Sequence, residues 1–510
     1  MIGIKSIFKY IFYLLLSLLI ILLVLLSFKL IKPVEKIKIN RALSGEVNTL
    51  TIDGQEFRDL NKNGQLDIYE DHRNLPRDRA NDLLRKMTLE EKVGQMFHPP
   101  FILKPDLLMF LYEIAIRGNS STESQIIFDH ITHFNLYGNP SPVELAKKIN
   151  SLQKTASRSR LGIPITISSD PIHEVPKGGG VASFSVDGFS KWPSQLGFAA
   201  TSNPKIIREF AEIVRDEYLA VGIRTALHPM SDLATEPRWA RNFGTFGSNA
   251  EMSSKMTIEY MNGFQQNYIS NKSVLTMVKH FPGGGPQENG LDPHLFSGRN
   301  QIYPGGNFEY HLLPFKEAIK NNLKVIMPYY GIPVGQTDED VAMAFNSYIL
   351  KDLLREELNY DGVICSDWGI ITGRHWGVDE LSIEQRYEKS IKAGIDQYGG
   401  EKDTDYLIDL VKDGQITEVR IDESVRRILL NKFELGLFDN PYVNEELVQY
   451  KVNTQDNIEA GLEAQRKSIV LLKNDGILPL KKGSKIFVDG LSKEEARELS
   501  LIHISEPTRR

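Results

Sequence analysis

The sequence predicts an α/β fold, a TIM-type (β/α)8 barrel spanning residues 81–440. Three observations predict it. At 510 residues the chain exceeds one ordinary compact domain but accommodates one large barrel with a terminal extension or second small domain. Up to about residue 400, short apolar runs ending in polar residues alternate with longer amphipathic stretches, the rhythm of repeated β-α units. The clearest runs are 165–169, 222–227, 274–278, 325–327 and 363–365. The residues just past them are Asp170, then His228 and Asp232, Lys279 and His280, Tyr329, and Asp367. In a β/α barrel such positions converge on one mouth, where ligands bind. Singly each reads as a helix cap or polar loop group; their recurrence reads as a polar pocket.

Composition narrows the function classes. A hydrophobic fraction of 41% with 25% charged residues describes a globular chain, and a net charge of −6 provides no basic footprint for nucleic acid. The single cysteine, Cys365, excludes an intramolecular disulfide framework and cysteine-based zinc sites. Inside an apolar strand it reads as a small buried hydrophobe. His98, His130 and His133 lack metal-ligand spacing and read as loop or packing groups. Oligomeric state is not legible in this pattern.

Elements follow in chain order. Residues 11–28 form an apolar run broken only by Ser17 and Ser27, after Lys5 and Lys9 and before Lys29 and Lys32. This is the basic-then-apolar order of an export signal, so residues 1–32 are expected to be an uncleaved membrane anchor or a removed signal peptide. Residues 33–80 read as a linker with an EF-hand-like loop. Within it Asp59, Asn61, Asn63, Gln65, Asp67 and Glu70 occupy the ligand positions of the twelve-residue calcium loop, with Gly64 at the sharp turn. The loop either holds a structural Ca²⁺ or is an Asn/Gly-rich surface turn; catalysis is expected to need no cofactor. Thr88 and Glu91 then form a capping box that starts a structural helix.

Two motifs carry chemistry. In the stretch 361–369, a buried-type strand ends in Asp367 beside Trp368. Sugar rings stack their C–H faces on tryptophan, and an ionised carboxylate attacks an anomeric carbon through an oxocarbenium-like transition state. In 279–285, Lys279 and His280 precede three glycines, a loop expected to approach something closely. Neither this triplet nor that at 178–180 has the spacing of a phosphate-binding P-loop.

With these residues in view, the chain resembles glycoside hydrolase family 3, of the β-glucosidase and exo-β-glucanase type, over roughly residues 55–490. The stretches MTLEEKVGQM, RLGIPITISSD, EPRWARNFGTFG, VKHFPGGG, GVICSDWG, KFELGLFDNPYV and IVLLKNDGILPL carry the resemblance in order. It implies a retaining, exo-acting hydrolysis of terminal β-D-glucosyl residues from an oligosaccharide or β-glucoside, with Asp367 as nucleophile and Trp368 beside the leaving group. Asp170, Arg241, Lys279, His280 and Tyr329 fall on the family's sugar-binding positions.

Two departures follow. Many relatives draw a glutamate acid/base from an α/β sandwich domain after the barrel; residues 441–500 read as the linker and start of that domain, truncated near the strand 485–488. Residues 501–510 match nothing in the family and read as a non-native tail. In place of the glutamate, Asp292-Pro293-His294 resembles the Asp-x-His dyad of the family's β-N-acetylglucosaminidase branch, making His294 either an acid/base or a loop or binding residue. Two further readings stay open: a barrel that binds sugar with little turnover, and a Schiff-base lyase using Lys279.

Overall fold

The computed structural model describes residues 13, 34–103, 120–174, 186–481 and 484. The export-type run 11–28 (Tyr13 apart), the glycines 178–180, the strand expected at 485–488 and the tail 501–510 lie outside the described residues. The chain divides into two compact units, Met1–Ser468 and Ile469–Arg510. The described residues of the second contain neither helix nor strand.

The first unit opens on an antiparallel hairpin of β1 (Asn48–Ile52) and β2 (Gln55–Asp59). The strands that follow are β3 (Phe97–His98), β4 (Pro100–Ile102), β5 (His133–Tyr137), β6 (Thr166–Ser169), β7 (Ile223–Ala226), β8 (Leu275–Phe281), β9 (Asn300–Gln301), β10 (Val325–Pro328), β11 (Ile332–Pro333), β12 (Val363–Ile364) and β13 (Tyr398–Gly399). Seven of them form one parallel sheet in the order β12-β10-β8-β7-β6-β5-β4. β13 pairs in parallel with β3, Cys365 bridges Gln397 in parallel, and β9 and β11 form a small parallel pair.

Parallel strands require crossover connections, and helices supply them. Helix Pro204–Val221 shows why. Asn203 caps it by accepting the Lys205 N–H, Pro204 sits where its missing N–H costs nothing, and Gly222 ends it at φ +94°. Its buried Ile207, Phe210, Ala211, Val214, Tyr218 and Val221 fall on one helical face. The neighbouring helix Ala250–Gln265 approaches so closely that a Cβ on Gly263 would collide with Ala211. Gly222, read from sequence as the start of a strand, is therefore a helix cap. The Thr88–Glu91 capping box forms as expected at the head of helix Leu89–Gln95.

Helix Glu418–Glu434 covers the end of the sheet where β5 and β6 begin. Its fully buried Lys432 donates to the carbonyls of Thr132 (3.2 Å) and Pro164 (2.9 Å) and to Thr166 Oγ1 (2.8 Å), so a lysine closes the floor beneath the strands. The opposite, carboxyl ends of the strands are left to form the site.

Candidate active site

A cavity of about 520 Å³ opens at the carboxyl ends of the parallel strands. Asp170, Arg241, Lys279, His280, His294, Asp367 and Trp368 all line it, so seven of the eight active-site residues expected from sequence meet in one place. The exception is Tyr329. Its ring is fully buried behind the wall, and Tyr330 faces the cavity instead. The Tyr329 ring packs on His280 with centroids 4.2 Å apart, and the Tyr330 ring lies beside it at 5.8 Å.

Asp367 follows β12 by three residues. Ser366 N–H donates to the Gln397 carbonyl (2.8 Å) and Ser366 Oγ accepts the Gly399 N–H (3.0 Å), which fixes the chain immediately before it. Asp367 Oδ1 accepts the Trp368 N–H at 2.7 Å, whereas Oδ2 is buried without a hydrogen-bond donor among the described residues. His280 Nε2 stands 3.7 Å from that oxygen. Burial pushes the Asp367 carboxyl up, but the cationic side chains around the cavity, Lys279 among them, outweigh it and hold the group below the usual carboxylate range. Asp367 thus holds one oxygen on the Trp368 N–H and turns the other toward His280.

His280 is oriented in turn. Its Nδ1 lies 2.8 Å from Asp232 Oδ2, and Asp232 also accepts the His280 N–H and the Gly284 N–H. Burial pushes the imidazole down despite the Asp232 charge, so the neutral ring donates from Nδ1 and turns the Nε2 lone pair to the cavity. The glycine loop gains its reason here. A Cβ on Gly284 would come 2.6 Å from Asp232 Oδ1 and one on Gly283 2.9 Å from His311 Cβ, so the loop approaches its own protein closely.

Lys279 Nζ donates to Asp170 Oδ1 at 3.0 Å, and Asn135 Nδ2 to Asp170 Oδ2 at 3.3 Å. The ion pair sets the Lys279 amino group against the Asp170 carboxylate. Arg241 donates to Tyr329 OH at 3.1 Å, and Tyr329 OH donates to Asp292 Oδ2 at 3.2 Å. Tyr329 therefore serves the site indirectly, as a strut between Arg241 and Asp292.

The Asp292–His294 dyad forms. Asp292 Oδ1 bonds His294 Nδ1 and accepts its N–H (3.0 Å), while Oδ2 accepts the Trp239 Nε1–H at 2.8 Å. Trp376 Nε1–H anchors the loop through the Pro293 carbonyl (2.8 Å), and the His294 ring meets Tyr330 edge-on at 4.9 Å. Burial pushes the Asp292 carboxyl up, yet His294 and Arg241 carry it well below the carboxylate range.

The expected calcium loop lies at the end of β2. Asp59 accepts the N–H groups of Asn63 and Gly64 (both 3.1 Å), and Glu70 accepts those of Leu60 (2.7 Å), Asn61 and Asp67 (both 3.1 Å). Lys86 Nζ contacts Asp67 Oδ1 at 2.6 Å. Among the described residues no group of three or more His, Cys, Asp or Glu side chains is gathered to hold a metal ion.

A polar cavity at the carboxyl ends of parallel strands, with a carboxylate beside an indole and a ring of fixed hydrogen-bond donors, fits the sugar-processing class of α/β enzymes. Residues 88–430 match the glycosyl hydrolase family 3 N-terminal domain. The chain belongs to that family. It is 45% identical over 466 residues to β-glucosidase C of Emericella nidulans, covering 88% of this chain and 74% of that protein. It is 38% identical over 488 residues to the periplasmic β-glucosidase/β-xylosidase of Dickeya chrysanthemi, with 90% and 74% covered. Among solved structures, the exo-1,3/1,4-β-glucanase of a Pseudoalteromonas species superposes with a TM-score of 0.67 at 24% identity, over 80% of this chain and 49% of that one. The chain spans about half the length of several solved structures it matches.

Proposed function

We propose that this chain is a retaining, exo-acting β-glycosidase that removes terminal non-reducing β-D-glucosyl residues through a covalent glycosyl-enzyme on Asp367. The observation that carries the reading is the buried, unbonded Asp367 Oδ2 in the cavity. Oδ2 attacks the anomeric carbon as the glycosidic C–O bond breaks; water then displaces the sugar from the other side of the ester, and two inversions give retention. Asp170 accepts from the sugar hydroxyls, His280 Nε2 accepts, and Arg241 and Lys279 donate, which fixes the ring for attack. Trp368 offers the stacking face. A 2-fluoro-β-glucoside should label the protein on Asp367, read by peptide mass spectrometry; an adduct on any other residue overturns the assignment.

The reading includes a closed eight-stranded barrel. Supporting it, β3 and β4 form one nearly continuous stretch that pairs with β5 on one side and β13 on the other, and Gln397 beside β13 bridges to Cys365 beside β12. Export is proposed on the apolar run 11–28 and on the periplasmic location named for the Dickeya relative. Among the described residues no helix is long and apolar enough to cross a membrane.

His294 is proposed to carry the proton to the leaving oxygen, because Asp292 fixes its Nδ1 and leaves Nε2 for transfer. Replacing His294 with alanine should slow hydrolysis of a glucose disaccharide by about 10²–10⁴-fold while sparing a dinitrophenyl glucoside, whose leaving group needs no proton. Equal losses on the two substrates would return His294 to a binding role. A wild-type chain active on the aryl glucoside alone would favour a sugar-binding barrel with little turnover.

The loop Asp59–Glu70 is proposed as a structural calcium site on its oxygen pattern, with Lys86 at Asp67 as the group the ion must displace. Calcium at about 100 times its dissociation constant should add about 2.7 kcal/mol of stability. Thermal unfolding with calcium and with EDTA checks this, and a midpoint that ignores calcium refutes it.

A further inference from the structure

The cavity has a second wall that the sugar-binding residues leave unused. It consists of Glu401, Lys402 and Asp403, just past β13, together with Thr372, Gly373 and Arg374. Trp368 lines the cavity and packs against this wall. Its ring lies so close to β13 that a Cβ on Gly399 or Gly400 would come 2.6 or 2.9 Å from indole carbons. Glu401 is itself only 4% exposed, and its Oε1 accepts the N–H groups of Ile371 (3.0 Å) and Thr372 (3.1 Å) and the Thr372 hydroxyl (3.2 Å). The same segment is tied elsewhere: Arg374 Nη1 donates to the Trp368 carbonyl at 3.0 Å, as does Tyr330 OH at 2.8 Å, and Arg386 Nη1 holds the Ile371 carbonyl at 3.0 Å. One short stretch therefore carries Asp367 at its start and the second wall at its end, and Glu401 clamps its middle to β13.

We propose that Glu401 is a positioning residue of this active site, whose carboxylate clamp on Ile371 and Thr372 sets the Thr372–Arg374 wall against the leaving-group half of the substrate. The inference rests on reading Asp367 as the attacking group. It makes the wall responsive to pH. Burial pushes the Glu401 carboxyl up to about 7, with the backbone N–H groups opposing and Asp403 adding to the rise. The ionisable groups sharing its field are Asp403 on its own loop, Tyr387 on helix Ile383–Ala393 and Tyr398 on β13, with Lys402 and Arg374 as the cations of the rim. Asp129, beyond Asp403, is itself pushed up to about 6 by burial and by Asp405 and Asp403. An ionised acceptor holds its donors more strongly than a neutral one, so the clamp tightens as Glu401 loses its proton.

The test is steady-state kinetics of the full chain between pH 5.5 and 8.5 on a β-linked glucose disaccharide and on an aryl glucoside, for wild type, Glu401→Gln and Glu401→Asp. Glutamine keeps the acceptor and cannot ionise. Wild-type KM for the disaccharide should fall about fivefold as pH rises through 7, the margin between charged and neutral acceptors. Glu401→Gln should abolish that fall, with the loss in KM rather than kcat and larger for the disaccharide than for the aryl glucoside. Glu401→Asp, still a carboxylate, should restore a pH-dependent KM. A glutamine variant that keeps the wild-type pH dependence overturns the proposal, and so does a flat wild-type KM, which needs no variant to fold. If the 2-fluoro-glucoside fails to label wild-type Asp367, the reaction reading itself falls, a result separate from any KM profile.

Discussion

Replacing Asp367 with asparagine should lower kcat for a β-glucoside by about 10⁴-fold, about 5.5 kcal/mol of lost transition-state stabilisation. Asparagine preserves volume and can still accept the Trp368 N–H through its carbonyl oxygen, so the turn after β12 should survive. What disappears is the anionic Oδ2, the atom without a donor among the described residues. In the proposed reading sugar binding rests on other groups, Asp170 paired with Lys279 and His280 oriented by Asp232. Glucose should therefore still bind the variant, measurable by calorimetry, while the 2-fluoro-glucoside no longer labels it. A variant that keeps more than a hundredth of wild-type turnover would require another nucleophile.

Much of this site was legible because parallel strands are buried on both faces and read as apolar runs. The run 325–327 became β10 and the run 363–365 became β12, and the residues past them could be placed at one mouth from sequence alone. The illegible parts share a physical cause: they depend on which residues touch across the fold. Nothing in 395–401 reads as an apolar run with a polar end, because β13 is two residues long and Gly399 and Gly400 are dictated by the Trp368 ring that follows β12. Glu401, just past it, was missed for that reason. Asp232 was visible past β7, but its hold on His280 and on the Gly284 amide exists only in three dimensions. Tyr329 was expected at the mouth, but its ring is buried behind it and Tyr330 lines the cavity. The calcium loop matched a full ligand pattern, yet its carboxylates are largely engaged by their own backbone and by Lys86.

The largest stability loss should come from a residue with no part in the chemistry. Asp396 is fully buried on the approach to β13, where Oδ2 accepts the Ile364 N–H of β12 at 3.0 Å and Arg355 Nη2 at 2.5 Å. Its Oδ1 accepts Ser424 Oγ–H at 2.7 Å and Arg427 Nη1 at 3.3 Å, with Arg420 Nη1 at 3.6 Å. Burial alone would push this carboxyl up, but the three guanidinium groups outweigh it and hold it below the usual range. Asp396→Asn would leave three arginines facing a neutral amide, and removing one partner of a buried ion pair costs about 3–5 kcal/mol. Urea unfolding at pH 7 should show that loss. Because the native carboxyl is depressed, its contribution is fully present above the unfolded value of about 3.9 and disappears as pH falls through the native one. The gap between wild type and variant should thus stay constant above about pH 6 and close on acidification; a gap that widens in acid would place the charge elsewhere. Since the Asp396 bond to Ile364 steadies the strand that delivers Asp367 three residues later, the variant should also be labelled more slowly by the 2-fluoro-glucoside even where it remains folded.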